Sequence, residues 1–166
     1  MSGSTKYTDN DFKHDWSAFA WTDASETFTE ITDANTKWKR ASEAFPGKTL
    51  FGTNGITPQD ISQGSIGNCW FIAAASALAE KSNRMESVFL NSDVNANGIY
   101  GVNLYTLGVP HTVIVDDFLP LTDYGDGKLV TQAAGKGGDG ALWGPILEKA
   151  FAKYHGNYLH TVGGSP

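Results

Sequence analysis

Cysteine is almost missing: Cys69 stands alone among 166 residues. A single thiol excludes an internal disulfide, so the fold must rest on packing and polar contacts. The sequence does not open with a basic segment followed by an apolar core, the pattern of a secretory leader, and a cytoplasmic location is expected. Long hydrophobic runs are also lacking. The longest, Cys69 to Ala75, is far too short to span a bilayer. Positive charge is scarce: 12 Lys and Arg face 18 Asp and Glu, a net charge of −6. No basic cluster exceeds Lys37 to Arg40, and Trp38 interrupts that one, so the concentrated cations needed to bind nucleic-acid phosphates are absent.

What is present suits one folded domain. Forty per cent of the residues are hydrophobic and 12% aromatic, ample material for a core at this length. Residues 1–35 read as an N-terminal arm: a polar tail followed by Phe12, Trp16, Phe19, Trp21 and Phe28 without clean periodicity, fit to pack on the domain or to bind elsewhere. Residues 36–166 read as the core. Gly, Pro, Thr and Asn recur from Gly47 to Gly67, predicting extended loop. A helix from Cys69 to Lys81 follows, apolar nearly all round and therefore expected to be buried. Ser82 or Asn83 then caps a short helix through Leu90. Two β-rich runs, Ile99 to Leu107 and His111 to Leu119, flank Leu107-Gly108-Val109-Pro110 and predict a hairpin. A long loop over 122–140, with a short strand at Leu129 to Thr131, leads to a second helix. Its apolar residues Trp143, Ile146, Leu147, Ala150, Phe151 and Tyr154 share one face, with Pro145 in the first turn and Gly156 past the end. The fold class expected is α+β.

The segment carrying chemistry is Gln63-Gly64-Ser65-Ile66-Gly67-Asn68-Cys69-Trp70. It places a thiol at the mouth of a helix, where free N–H groups and the positive dipole end stabilise a thiolate. Gly64 and Gly67 let backbone approach the sulfur closely. The Gln63 amide, six residues upstream, and the Cys69 N–H supply two donors for an oxyanion. Cys69 and Gln63 are thus the candidate catalytic pair.

This stretch resembles the active-site segment of the calpain family of cysteine proteases, Gln-Gly-x-x-Gly-Asp-Cys-Trp. The one departure is Asn68 in place of aspartate, which removes a like charge that would oppose a thiolate. Lys37-Trp38-Lys39-Arg40, Val113-Ile114-Val115-Asp116-Asp117-Phe118-Leu119-Pro120, Leu142 to Tyr154 and Gly163-Gly164-Ser165 resemble further family segments in the same order, covering 36–165. The resemblance implies a papain-like first subdomain acting on polypeptide substrates, its catalytic histidine and asparagine supplied by a second subdomain whose motifs this chain lacks. The competing expectation is a calpain-like module that binds a partner without catalysis.

None of the four histidines has a recognisable catalytic partner by spacing. His14 reads as solvated, His111 as a strand start, His155 as a cation at a helix C-terminus, and His160 as part of the tail. The resemblance also implies that Gly163 and Gly164 pair with extended substrate, and that Gly55 and Asp60 contribute to a calcium site. The family's further glutamate ligand, two residues before Trp143, is Ala141 here, leaving Asp139 as its substitute. Asp93 to Gly98 matches the first half of an EF-hand loop, but Leu104 occupies the position of the bidentate glutamate, so that segment reads as a turn entering a strand.

Overall fold

The computed structural model describes residues 5–20, 31, 35–123, 129–131, 135–136 and 139–164. Trp21, Phe28, Ser165 and the greater part of the glycine-rich loop lie outside them. Among the described residues four α-helices and three small antiparallel sheets alternate along the chain, as an α+β fold requires. Strand β1 (Thr36–Arg40) leads into the single turn α1 (Ala41–Ala44), and strand β2 (Ile61–Ser62) closes the extended region. Helix α2 (Cys69–Ala79) and short helix α3 (Ser82–Glu86) precede the hairpin β3 (Ile99–Thr106) and β4 (Val109–Asp116). Strands β5 (Phe118–Asp123), β6 (Leu129–Thr131) and β7 (Gly135–Lys136) then lead to helix α4 (Trp143–His155).

The hairpin turn is two residues shorter than expected. Leu107 and Gly108 both take positive φ (52° and 80°), the twist that matches paired strands, so Val109 and Pro110 join β4. Leu107 adopts this strained backbone while fully exposed. Strand β5 sits between β1 and β6, with Trp38 opposite Pro120 and Leu121 opposite Thr131. Pro120 precedes the part of β5 that pairs with β6, so its missing N–H costs that ladder nothing. Strand β7 pairs with β2 through Ser62↔Gly135, fixing the chain one residue before Gln63.

Helix α4 is the more deeply buried of the two long helices. Trp143 through Ala150 are all buried, Glu148 and Lys149 included. Its start is held by Leu142 and Trp143 N–H groups donating to the Leu50 carbonyl (3.0 and 2.9 Å), and it ends at Gly156, φ 101°. Helix α2 departs from the all-round burial expected: Phe71, Ile72, Ala75 and Ala79 face the core, whereas Cys69, Ala73, Ala74, Ala77 and Leu78 are exposed. A run of small apolar residues has no polar face to reveal which side meets solvent, so periodicity alone carried no information there.

Part of the N-terminal segment packs on the domain. Phe12, Ala18 and Phe19 form a cluster with Ile31, Ile66, Ala152 and Tyr158, and Phe19 stacks on Tyr158 at 5.2 Å. Burying each such ring contributes about 1.5–3 kcal/mol. Tyr158 and Leu159 N–H groups donate to the Ala18 and Phe19 carbonyls, both at 2.9 Å. Polar contacts complete the attachment. Asp116 Oδ2 accepts from the Asp9 N–H (2.7 Å) and contacts His14 Nε2 (2.6 Å), and Lys153 Nζ donates to both Asp9 carboxylate oxygens. His14 is therefore not the solvated residue that its polar neighbourhood suggested. Its ring also lies 3.9 Å from that of Phe118.

Candidate active site

The loop from Gln63 to Asn68 is anchored at its entry and over Ile66 to Asn68. Pairing of β2 with β7 fixes its entry, and Ile66 is wholly buried in the N-terminal cluster. The Asn68 N–H donates to the Ile66 carbonyl, tightening the turn, and the Gly67 carbonyl accepts from the Gly163 N–H at 3.1 Å. Asn68 is fully buried, and its side chain makes no cap of its own helix. Instead Nδ2 donates to Glu148 Oε1 in α4 at 2.6 Å. The Asn68 carbonyl meanwhile accepts from the Phe71 and Ile72 N–H groups at 3.0 and 3.2 Å. Cys69 emerges from this frame as an exposed free thiol on the first residue of α2. Gln63 is exposed as well, at the other end of the same loop.

The Gly163–Gly67 hydrogen bond brings the candidate substrate-binding glycines beside the thiol's loop. Gly163 needs its positive φ of 70°. Gly164 is constrained differently, because a Cβ there would stand 2.6 Å from Trp70 Cε2. Trp70 is half-buried rather than open on the cysteine face. Its Nε1 donates to the Thr161 carbonyl (3.0 Å), and its ring meets Phe151 edge-on at 5.6 Å.

The four histidines are engaged elsewhere. His14 binds Asp116, His111 lies 5.6 Å from the Tyr154 ring, His155 packs 4.4 Å from Phe151, and His160 Nδ1 contacts the His155 carbonyl at 2.7 Å. Burial, with His160 nearby, pushes the His155 imidazole down, which weakens the cationic role its helix-terminal position suggested.

Sequence reasoning missed the buried charges that hold the site's supports together. Arg40 pairs with Asp117 at 2.5 Å and donates to the Tyr7 carbonyl at 2.9 Å. Lys149 pairs with Asp116 at 2.5 Å, both side chains wholly buried, and also donates to the Phe118 carbonyl at 2.7 Å. Burial alone would raise the Asp116 carboxyl. The His14 bond, the Lys149 charge and the Asp9 N–H outweigh it and hold the group well below the usual carboxylate range. Burial pushes the Lys149 ammonium down in spite of Asp116. Burial, reinforced by Glu148 and Asp116, pushes the Tyr158 hydroxyl well above its ordinary range.

Each of these charges sits in one of the segments quoted for the family resemblance, and the comparisons with known proteins bear that resemblance out. The calpain family cysteine protease profile matches residues 7–166. The chain belongs to the calpain family. It is 36% identical over 134 residues to Calpain-5 of Caenorhabditis elegans, a match spanning 76% of this chain and 20% of that protein. It is 37% identical over 132 residues to the Calpain-1 catalytic subunit of Sus scrofa, spanning 78% and 18%. It is 37% identical over 109 residues to Calpain-type cysteine protease DEK1 of Zea mays, spanning 66% and 5%. The chain thus covers about a fifth or less of the length of these relatives. The family match begins at residue 7 and takes in the stretch holding Phe12 and His14, which the quoted segments left out.

A family calcium site does not fit the residues present. Ala141, at the glutamate position, is fully buried and brings no side-chain oxygen. Asp139 does not replace it: Oδ2 accepts from the Thr53 and Asn54 N–H groups (3.0 and 3.5 Å) and Oδ1 from the Ala141 N–H (3.1 Å). Asp60 Oδ2 accepts from the Thr57 N–H at 2.7 Å and faces Trp143 Nε1 at 3.4 Å. Asp139 and Asp60 thus spend acceptor positions on N–H donors of the loop, and the side-chain oxygen that a glutamate would bring at position 141 is missing. Gly55 keeps its positive φ of 76°, and the loop is tied to Asp139 directly. Among the described residues no cluster of three metal-ligating side chains forms, and Asp93 to Gly98 is a turn closed by the Gly98 N–H on the Asn95 carbonyl at 2.9 Å.

Proposed function

We propose that this chain is the nucleophile-bearing part of a cysteine endopeptidase, with Cys69 attacking a peptide carbonyl. The observation that carries the reading is an exposed thiol on the first residue of α2, directly after Ile66, Gly67 and Asn68, which are held by the N-terminal cluster, Gly163 and Glu148. The Cys69 sulfur forms a thioester as the peptide C–N bond breaks and the amine leaves with a proton; water then releases the acid and restores the thiol. The Gln63 amide and the Cys69 N–H hold the oxyanion between these steps. Gly163 and Gly164 offer backbone to an extended polypeptide beside the Gly67 carbonyl.

The proton is carried by an imidazole outside this chain, since each histidine here has another engagement. We assign it, with its orienting asparagine, to a second subdomain. Family membership, with relatives named as a catalytic subunit and as a cysteine protease, favours catalysis over a purely binding module. A cytoplasmic setting accords with the lone free cysteine, and among the described residues no helix is long and apolar enough to cross a membrane.

The test is labelling of Cys69 by a peptidyl chloromethyl ketone against a non-peptidyl alkylator of matched reactivity, with Cys69→Ser as the blank. The proposal expects the peptidyl reagent to react several-fold faster. Equal rates would overturn it.

A further inference from the structure

Glu148 lies on α4, remote in sequence from Cys69, yet it is joined to the residue immediately before the nucleophile. Its side chain and that of Asn68 are both 0% exposed and meet at 2.6 Å. Asn68 is where α2 begins, because its carbonyl accepts the first two helical N–H groups. The orientation of that peptide decides where the open N–H groups and positive end of α2 point, and therefore how they meet a thiolate on Cys69. An asparagine at a helix start ordinarily uses its side chain to cap its own helix. Here the side chain has been given to α4 instead.

We propose that Glu148 is a positioning residue for Cys69, holding the first peptide of α2 through Asn68. The inference rests on reading Cys69 as the nucleophile. It also accounts for the neutral residue at position 68. An aspartate there would set two carboxylates against each other, and such a pair keeps a shared proton. Asparagine supplies the donor permanently, so the link does not depend on protonation of the pair. The cost is one carboxylate at the helix end that also serves the thiolate. Glu148 therefore acts in two opposed ways: its acceptor oxygen orients the site, and its negative charge opposes a second anion there.

Two substitutions separate these effects. Glu148→Gln keeps an acceptor oxygen for Asn68 and removes the charge, whereas Glu148→Leu removes both. The readout is the alkylation rate of Cys69 in the whole chain with iodoacetamide, an uncharged reagent, across the neutral pH range, alongside circular dichroism to show that each variant is folded. Glu148→Gln is expected to react faster than the parent. Glu148→Leu is expected to react about three- to tenfold more slowly, the scale of one hydrogen bond. Asn68→Ala breaks the same link from the other side and should also be slowed. A purely structural role for Glu148 would slow the Gln and Leu variants alike or change neither rate. A Glu148→Gln slowed as far as Asn68→Ala overturns the proposal by itself, even if the Leu variant does not fold; a Glu148→Gln that matches the parent while Asn68→Ala is slowed supports positioning through the acceptor oxygen and removes only the charge effect. Should the parent show no preference for a peptidyl reagent, the protease reading fails, while these parent-to-variant differences still decide the role of Glu148.

Discussion

Replacing Lys149 by methionine tests whether the buried charges hold this fold together. Methionine nearly matches the volume of the lysine stem, so the cavity contribution is small and the loss is mainly electrostatic. Lys149 and Asp116 are both fully buried, and removing one partner of such a pair typically costs about 3–5 kcal/mol because the other charge is left behind. Asp116 would keep the His14 ring and the Asp9 and Phe118 N–H groups, which places the cost toward the lower end. The Phe118 carbonyl also loses its 2.7 Å donor, adding about 1 kcal/mol. A total of about 3–4 kcal/mol corresponds, at this chain length, to a Tm lower by roughly 6–16 °C. Urea unfolding followed by tryptophan fluorescence measures it. The pH dependence has a defined sign. Asp116 is depressed in the folded state, so its contribution is present above the unfolded carboxylate value near 3.9 and is lost as pH falls below it. In Lys149→Met the depression shrinks, and the midpoint of acid unfolding moves to higher pH. A loss below about 1 kcal/mol, or an unmoved acid midpoint, would refute the claim that this pair is a principal tie.

Gly164→Ala places a Cβ 2.6 Å from the Trp70 ring and should cost about 1–3 kcal/mol while displacing the indole from the Thr161 carbonyl. Its unfolding midpoint should fall and labelling of Cys69 by the peptidyl reagent should slow; an unchanged midpoint counts against the contact. Calcium at millimolar levels should leave both the unfolding temperature and the calorimetric baseline unchanged, because the carboxylate oxygens near Gly55 already accept backbone N–H groups. A saturable heat would show that the loop rearranges to admit the ion.

Legibility from sequence followed the physics of each element. The second helix was readable because its apolar residues from Trp143 to Tyr154 recur at helical spacing, and it forms over Trp143–His155. The start of α2 at Cys69 was readable from the glycine-bounded turn before it. Its exposed side was not, because Ala73, Ala74 and Ala77 look the same facing core or solvent. Strand β1 was invisible: Lys37, Trp38, Lys39 and Arg40 carry no apolar alternation, and pairing with β5, more than 75 residues away in sequence, makes the strand. Glu148 and Lys149 are harder still. A charged residue beside an apolar stripe reads as solvated, and only the partners brought by other segments show it to be buried. His14 was misread for the same reason, since Asp116 lies 102 residues away.

Those distant partners explain why four separate segments travel together in this chain. Asp116 is the last residue of β4 and Asp117 the bend that joins it to β5, so the two adjacent carboxylates reach different partners. Asp117 reaches Arg40 in β1, while Asp116 reaches Lys149 in α4 and the segment around Asp9 and His14. One residue earlier along α4, Glu148 reaches Asn68. The aspartate pair thus ties two sheets, a helix and the N-terminal segment at one joint, and the preceding residue of that helix carries the tie to the nucleophile. Well-packed apolar residues of similar volume at positions 116 and 149 need not cost stability. They would remove the directional bonds that fix α4 relative to β4, and with them the register in which Glu148 meets Asn68. Buried charge here is therefore a device for placement, and its effect should be sought at Cys69 as well as in the unfolding curve.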